Sequence, residues 1–108
     1  MDATTPPPVQ APNAATKRGT RKVPLLHKTG LHMRPAGRIM ETASRFKADV
    51  QLSWGDRTAN AKSILEMLSL AVPPGVELTL EAHGSDADRA LDAIESLIRD
   101  RINREEEV

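Results

Sequence analysis

The feature that most limits the fold of this chain is the order in which two hydrophobic repeats follow one another. Some segments alternate apolar and polar residues, which is typical of half-buried strands, while others repeat apolar residues every three or four positions, which is typical of amphipathic helices. In chain order they predict β-α-β-β-α-β-α. Because strands that pair locally and alternate with helices leave one sheet face to be covered, we predict an α+β fold, a two-layer open-faced sandwich.

The predicted strands differ in how clearly they are marked. The first, in "KVPLLHK", contains Pro24, which lacks an N–H and therefore predicts a sheet edge or a strand start. The second ends in a Gly55–Asp56 turn, and the third, "RTANA", is only weakly marked. Alternating residues place one side chain in two on the same face of each of the first, second and fourth strands. These residues are Val23, Leu25, His27, Val50, Leu52, Trp54, Val76, Leu78, Leu80 and Ala82.

The helices are predicted from apolar spacing and from their end signals. The first covers residues 33–46. In the second, Ser63 and Glu66 match a capping box, and Pro73, Pro74 and Gly75 are expected to end it. The third has Ser85 as its expected N-cap, and Asp86 and Asp88 are expected to complement the helix dipole. The apolar stripes of the first and third helices are Ala36, Ile39, Met40, Ala43, Ala87, Ala90, Leu91, Ile94 and Ile98.

Composition excludes several classes of function. With 15 Lys plus Arg and 15 Asp plus Glu, the formal net charge is zero, so a nucleic-acid or membrane-surface role has no support. The chain has no cysteine, which excludes disulfide scaffolds, thiolate metal sites and cysteine nucleophiles and is consistent with a cytoplasmic protein. No apolar run is long enough to span a membrane, and the N-terminal region does not resemble a secretory signal.

The 108 residues predict one folded domain with two extensions. Residues 1–20 are rich in proline and small polar residues, so we expect a disordered extension; the domain would cover residues 21–103, and residues 104–108 would be a frayed acidic tail. The basic cluster "KRGTRK" is either a solvated linker or a means of steering an acidic partner.

The segment "TGLHMRPAGRIM" combines residues that suit phosphoryl transfer. The imidazole of His32 is a good nucleophile at neutral pH and a good leaving group. A helix that starts there would offer the free amides of Met33 and Arg34 and a positive dipole end. Arg34 adds a guanidinium that can bind two oxygens, and Pro35 is tolerated in the first turn. These residues predict a phosphate cradle around a nucleophile.

The motifs "GLHMRPAGRI", "NAKSILEMLSL" and "PPGVELTLEAHGSDADRALDAI" resemble the histidine-containing phosphocarrier protein HPr of the bacterial phosphotransferase system, from about Lys22 to Ile102. The resemblance implies a four-stranded antiparallel sheet in the order 1-4-2-3 with three helices on one face. It also implies that enzyme I phosphorylates His32 on Nδ1, with Arg34 as the neighbouring cation, and that the phosphoryl group passes to enzyme IIA domains. The protein would be a stoichiometric carrier and not an enzyme, a monomer without a cofactor or metal.

The resemblance assigns further residues to regulation and to partner binding. Ser63 falls where many relatives carry a serine that HPr kinase/phosphorylase modifies, so it is either a helix cap alone or also a phosphorylation site. Ala61 and Glu66 depart from the family pattern on either side of it. The implied partner surface comprises Ile64, Leu65, Leu68 and Arg38. Core packing is the alternative for the apolar residues and the preferred one for Leu68, and simple exposure of charge is the commoner explanation for Arg38.

Three functions therefore remain open. The first is a phosphocarrier, the second a regulatory binding module controlled by Ser63, and the third, which has the least support, a structural adaptor. His27 is placed where it could lie near the candidate site, but no Asp, Glu or Cys accompanies it at metal-ligand spacing. His83 ends a strand beside Gly84 and is expected to be solvated, so neither histidine belongs to the predicted site.

Overall fold

The computed structural model describes residues 17–104, and it confirms the predicted order of elements. The last helix continues without interruption into a π-helical segment, Leu97–Ile102. The elements are β1 (Arg18–Leu25), α1 (Met33–Ala43), β2 (Asp49–Trp54), β3 (Arg57–Asn60), α2 (Ile64–Ser69), β4 (Val76–His83) and α3 (Ala87–Ser96).

The four strands form one antiparallel sheet in the order β1-β4-β2-β3, with helices packed on one face, as predicted. Pro24 lies on the edge strand β1 opposite Glu77, where its missing N–H breaks no ladder between two inner strands. Alternate strand residues and the helix stripes meet in a single core of fully buried side chains. Its large members include Leu25, Ile39, Leu52, Met67, Leu78, Leu80, Leu91, Ile94, Ile98 and Ile102.

The predicted boundaries at β1 and α1 were wrong. β1 begins at Arg18, so the predicted disordered extension does not include residues 18–20; their backbone pairs with β4 down to the Arg18–His83 register. Backbone pairing needs no apolar side chains, which explains why composition did not reveal it. The rest of that extension, residues 1–16, and most of the predicted tail, residues 105–108, lie outside the described residues. α1 ends at Ala43, three residues before the predicted end.

Only half of the predicted capping box at α2 is formed. The Oγ atom of Ser63 accepts a hydrogen bond from the Glu66 N–H at 3.2 Å, as expected of an N-cap. The Glu66 carboxylate, however, accepts from the Asn60 N–H at 2.9 Å, while the Ser63 N–H donates to the Asn60 carbonyl. Glu66 therefore closes the turn before the helix instead of capping Ser63.

The end of α2 also differs from the prediction. The helix ends at Ser69 with Leu70 as C-cap, before the prolines, because Ala71 adopts a left-handed conformation with φ 54° and its N–H bonds the Leu68 carbonyl. A left-handed backbone is costly for any residue with a Cβ.

Replacing this alanine with glycine is expected to stabilise the protein. Ala71→Gly removes the steric penalty of φ 54° and should raise the free energy of unfolding by about 0.5–1 kcal/mol, as measured by urea denaturation. Ala93→Gly, inside α3, is the matched control and should lower it by about 1 kcal/mol. A loss of stability in Ala71→Gly would contradict this account of the helix end.

The N-cap of α3 is Asp86, not Ser85 as predicted, and its carboxylate makes no capping hydrogen bond. Instead it accepts from the backbone N–H groups of Lys47 at 2.9 Å and Ala48 at 2.8 Å, in the loop between α1 and β2. The hydrogen bond from the Lys47 N–H is the main reason that the pKa of Asp86 is lowered from its usual value. A carboxylate expected only to complement the dipole of α3 thus holds a distant loop in place.

The lowered pKa of Asp86 predicts a sign for its effect on acid stability. Because the folded-state pKa lies below the unfolded one, the ionised carboxylate stabilises the fold above the unfolded pKa, and this contribution disappears as pH falls through the folded pKa. In Asp86→Asn the contribution should be absent at pH 7, so the difference in unfolding free energy from the wild type should narrow on acidification. Urea denaturation at a series of pH values measures it, with exposed Asp88→Asn as the control. A constant difference across that range would refute the assignment.

Candidate functional site

The site is built at the N-terminus of α1. His32 is the N-cap residue in extended conformation (φ −111°, ψ −168°), and its carbonyl accepts the first helical hydrogen bond, from the Ala36 N–H at 2.9 Å. The amides of Met33 and Arg34 have no acceptor within the helix because they belong to its first turn, and Pro35 has no N–H to donate. Two backbone donors and the positive end of the helix dipole therefore lie at the helix end that begins with His32.

The two ring nitrogens of His32 differ in their access to other molecules. Nε2 is buried and has no hydrogen-bond partner among residues 17–104. A buried nitrogen cannot reach a group on another protein, so any reaction of this ring with a partner would have to use Nδ1.

Arg34 and Met33 lie on the outside of this first turn. Arg34 is exposed, and Met33 has 61% of its surface accessible, which is unusual for a large apolar residue. An exposed guanidinium beside two free amides can bind the oxygens of a phosphoryl group, including two at once. The predicted cradle residues are thus brought together by a single helical turn.

The loop before His32 is held by a second loop. Gly30 adopts φ 71°, its N–H donates to the His27 carbonyl at 2.9 Å, and the Leu31 N–H donates to the carbonyl of Val72 at 3.0 Å. A Cβ on Gly30 would collide with that same Val72 carbonyl oxygen. The α2–β4 loop therefore sets the position of His32, a contact that sequence analysis did not foresee.

His27 is the residue near the site that sequence analysis set aside. It lies two residues beyond the end of β1, is 1% exposed, and its ring centroid is 5.5 Å from that of His32. Its Nδ1 accepts from the Thr29 N–H at 3.3 Å and lies 2.8 Å from the Thr29 hydroxyl. The alternation of Val23, Leu25 and His27 carried the signal, since it placed this ring on the buried side.

The predicted partner residues are not equally accessible. Leu65, on α2, is 80% exposed, whereas Ile64 and Leu68 are half-buried and pack against the core. Arg38 is half-buried on α1 and lines an open groove of about 610 Å³ between α1 and the end of α3. Leu65 and the exposed Met33 are therefore the apolar side chains on α1 and α2 that a partner protein can contact.

Ser63, the predicted regulatory residue, is the N-cap of α2 and not an exposed loop serine. Its side chain is half-buried and occupied as the cap of α2, as described above. The departures from the family pattern are accommodated: the Ala61 methyl is buried and its N–H donates to the Val50 carbonyl at 2.8 Å. Glu66 places a carboxylate on the turn just before Ser63.

Within residues 17–104, no group of three or more His, Asp or Glu side chains is arranged to hold a metal ion. A membrane-spanning helix is likewise absent from that part of the chain, where every helix is too short or too polar.

Comparison with known proteins gives matches over nearly all of the described chain. The family model described as "PTS HPr component phosphorylation site" matches residues 20–100. The HPr-like protein Crh of Bacillus subtilis (strain 168) is 40% identical over 82 residues, which cover 76% of this chain and 96% of that protein.

Solved structures agree with the sequence matches. The phosphocarrier protein HPr from Bacillus anthracis str. Ames has a TM-score of 0.72 at 36% identity and covers 76% of this chain and 98% of its own. HPr-C-His from Thermoanaerobacter tengcongensis has a TM-score of 0.76 at 34% identity and covers 82% of this chain and 99% of its own.

Proposed function

This chain belongs to the HPr family of the phosphotransferase system, and from that membership we propose that it is a phosphocarrier. It accepts a phosphoryl group from phospho-enzyme I on His32 and passes it to sugar-specific enzyme IIA domains. It acts as a stoichiometric carrier with a phosphohistidine intermediate, not as an enzyme that turns over alone.

The observation that carries this proposal is the position of His32 as N-cap of α1 with its Nε2 buried. Only Nδ1 is then available, and it lies where a helix N-terminus favours added negative charge. The cap conformation needs nothing from the imidazole, because His32 makes no side-chain capping hydrogen bond. The ring is therefore available for chemistry.

The proposed transfer uses few groups. The lone pair on Nδ1 of His32 attacks phosphorus, the N–P bond forms, and the bond from phosphorus to the donor histidine of enzyme I breaks. The amides of Met33 and Arg34 and the guanidinium of Arg34 bind the phosphoryl oxygens, whose charge they stabilise. The same steps in reverse order deliver the group to a IIA domain.

The proposed partner surface combines exposed apolar and basic side chains around the site. Leu65 and Met33 supply apolar contact, Ile64 and Leu68 its half-buried margin, and Arg38 a basic contribution. Enzyme I and IIA domains are the partners, with HPr kinase/phosphorylase as a third if Ser63 is modified. We propose that the protein acts as a monomer in the cytoplasm and binds neither nucleic acid nor membranes.

Phosphorus NMR tests the carrier role directly. The purified protein is incubated with phosphoenolpyruvate, magnesium and a generic enzyme I. We expect an acid-labile phosphohistidine signal that decays when a IIA domain is added. A protein that gains no such signal, while a known HPr in the same mixture does, is not a carrier of this kind.

A regulatory module controlled by Ser63 is the second candidate, favoured by the similarity to Crh, which one solved structure names the Bacillus subtilis catabolite repression HPr. A phosphate on Ser63 would lie at the N-terminus of α2, where the helix amides favour it. The nearby Glu66 carboxylate would oppose it. Acid-stable labelling by HPr kinase and ATP, stronger in Glu66→Gln than in the wild type, supports this function; it requires that no phosphohistidine forms from phosphoenolpyruvate.

A further inference from the structure

The buried histidine beside the site, His27, has no part in the transfer described above. Its ring is 1% exposed and lies 5.5 Å from the His32 ring, centroid to centroid, with the two planes inclined at 46°. Burying an imidazole next to another imidazole is costly unless its polar atoms are used. The use of its nitrogens therefore needs an explanation.

Thr29 determines where the proton of His27 resides. The backbone N–H of Thr29 donates to Nδ1 of His27 at 3.3 Å, and an N–H can donate only to a nitrogen that carries no proton. The Thr29 hydroxyl, 2.8 Å from the same nitrogen, can donate as well. This geometry favours the neutral His27 ring with its proton on Nε2, a nitrogen that is itself buried.

His32 requires the same tautomer at its own ring. If Nδ1 is to offer a lone pair to phosphorus, the ring proton must sit on Nε2, which is buried and lacks a hydrogen-bond partner within residues 17–104. A buried N–H is stabilised when it meets the electron-rich face of a neutral aromatic ring. Aromatic pairs that make edge-to-face contacts have ring centroids about 4.5–7 Å apart, and the 5.5 Å between the centroids of His27 and His32 lies in that range.

We propose that His27 is a positioning residue for the nucleophile: held neutral by Thr29, its ring packs against the buried side of His32 and favours the tautomer with an unprotonated Nδ1. This inference rests on the proposed phosphocarrier function for its catalytic consequence. A protonated His27 could not serve, because its ring would repel the Nε2–H and lose the hydrogen bond from Thr29.

The proton balance of transfer is simple under this proposal. The Nε2 proton of His32 stays in place while the Nδ1–P bond forms and the donor's N–P bond breaks. It also stays in place when the phosphoryl group leaves for the IIA domain. No proton has to enter or leave the buried side of the ring during either step.

Histidine-ring nitrogen NMR at pH 8 on the full, unphosphorylated chain tests the tautomers. We expect the His27 Nδ1 signal to be that of an unprotonated acceptor and His32 to be mainly Nε2-protonated. The opposite tautomer at either ring overturns the proposal, and this measurement needs no variant.

Two variants test the effect on transfer. His27→Leu fills the space without an aromatic face, and it should shift the His32 tautomer ratio and slow phosphoryl transfer from enzyme I by about three- to fivefold, with the KM for enzyme I unchanged. His27→Phe keeps a neutral ring face and should restore both quantities. A folded Leu variant with wild-type tautomers and rate, or a Phe variant as impaired as the Leu variant, refutes the role of the ring face.

The two proposals fail in different ways. If the wild-type protein accepts no phosphoryl group, the carrier function is wrong, while the nitrogen spectra of the unphosphorylated protein still decide the tautomers of His27 and His32. If phosphohistidine forms but the tautomers differ from those expected, the carrier function stands and the positioning role of His27 falls. Should His27→Leu not fold, the wild-type spectra and the Phe variant remain decisive.

Discussion

His32→Ala is expected to abolish phosphorylation of the protein by phosphoenolpyruvate and enzyme I, a loss of more than about 10³-fold, because no other nitrogen at the N-terminus of α1 can accept the phosphoryl group. The fold should survive, since the His32 side chain makes no capping hydrogen bond and the residue is only partly buried. Phosphorus NMR of the acid-labile product measures the loss, and the amide NMR spectrum shows whether the variant is folded.

The chain offers a matched control for this variant. His83, at the end of β4, is exposed, and His83→Ala should be labelled as well as the wild type. His27 is not a suitable control, because its ring contacts that of His32. Labelling that persists in folded His32→Ala would move the phosphorylated residue elsewhere and end the proposal.

Gly30→Ala is expected to destabilise the protein by about 3 kcal/mol. Two effects add at this position. The backbone angle, φ 71°, is strained for alanine, and the new Cβ would collide with the Val72 carbonyl oxygen that accepts the Leu31 N–H. Relief of the collision must separate the two loops that position His32, so phosphoryl transfer should fall together with stability. Urea denaturation and the labelling assay measure the two losses.

Gly55→Ala separates strain from collision. Gly55 has nearly the same angle, φ 65°, but nothing lies within 4 Å of the position that its Cβ would occupy. It should therefore lose only about 1 kcal/mol and keep full transfer activity, because it lies in the β2–β3 turn, away from α1. Equal losses in the two variants would mean that the contact with Val72 does not matter.

Several expectations about the site came from the sequence because they depend on neighbours in the chain. The cradle of His32, Met33 and Arg34 is a single helical turn, so its residues are brought together by local backbone geometry. Pro35 and Gly30 marked the start of that turn in the same way. The Ser63 cap was predicted on the same local grounds and was confirmed.

The errors concern side chains that bind backbone outside the helix to which the sequence pattern assigned them. Asp86 was expected to complement a helix dipole, yet its carboxylate binds the backbone of Lys47 and Ala48, 38 residues or more away along the chain. Glu66 was expected to complete a capping box and instead binds Asn60. In both cases the carboxylate accepts hydrogen bonds from backbone N–H groups that the local sequence pattern did not indicate.

The sequence by itself determined the element order and the buried stripes, and it led to the proposed nucleophile and cradle, because hydrophobic period and helix-start chemistry are properties of consecutive residues. The sheet order came from the family resemblance and not from periodicity, which says nothing about which strands pair. Only the tertiary structure decided that Val72 fixes the loop before His32 and that His27 lies against its ring. Those contacts depend on how separate loops pack, and packing is settled when the whole core forms.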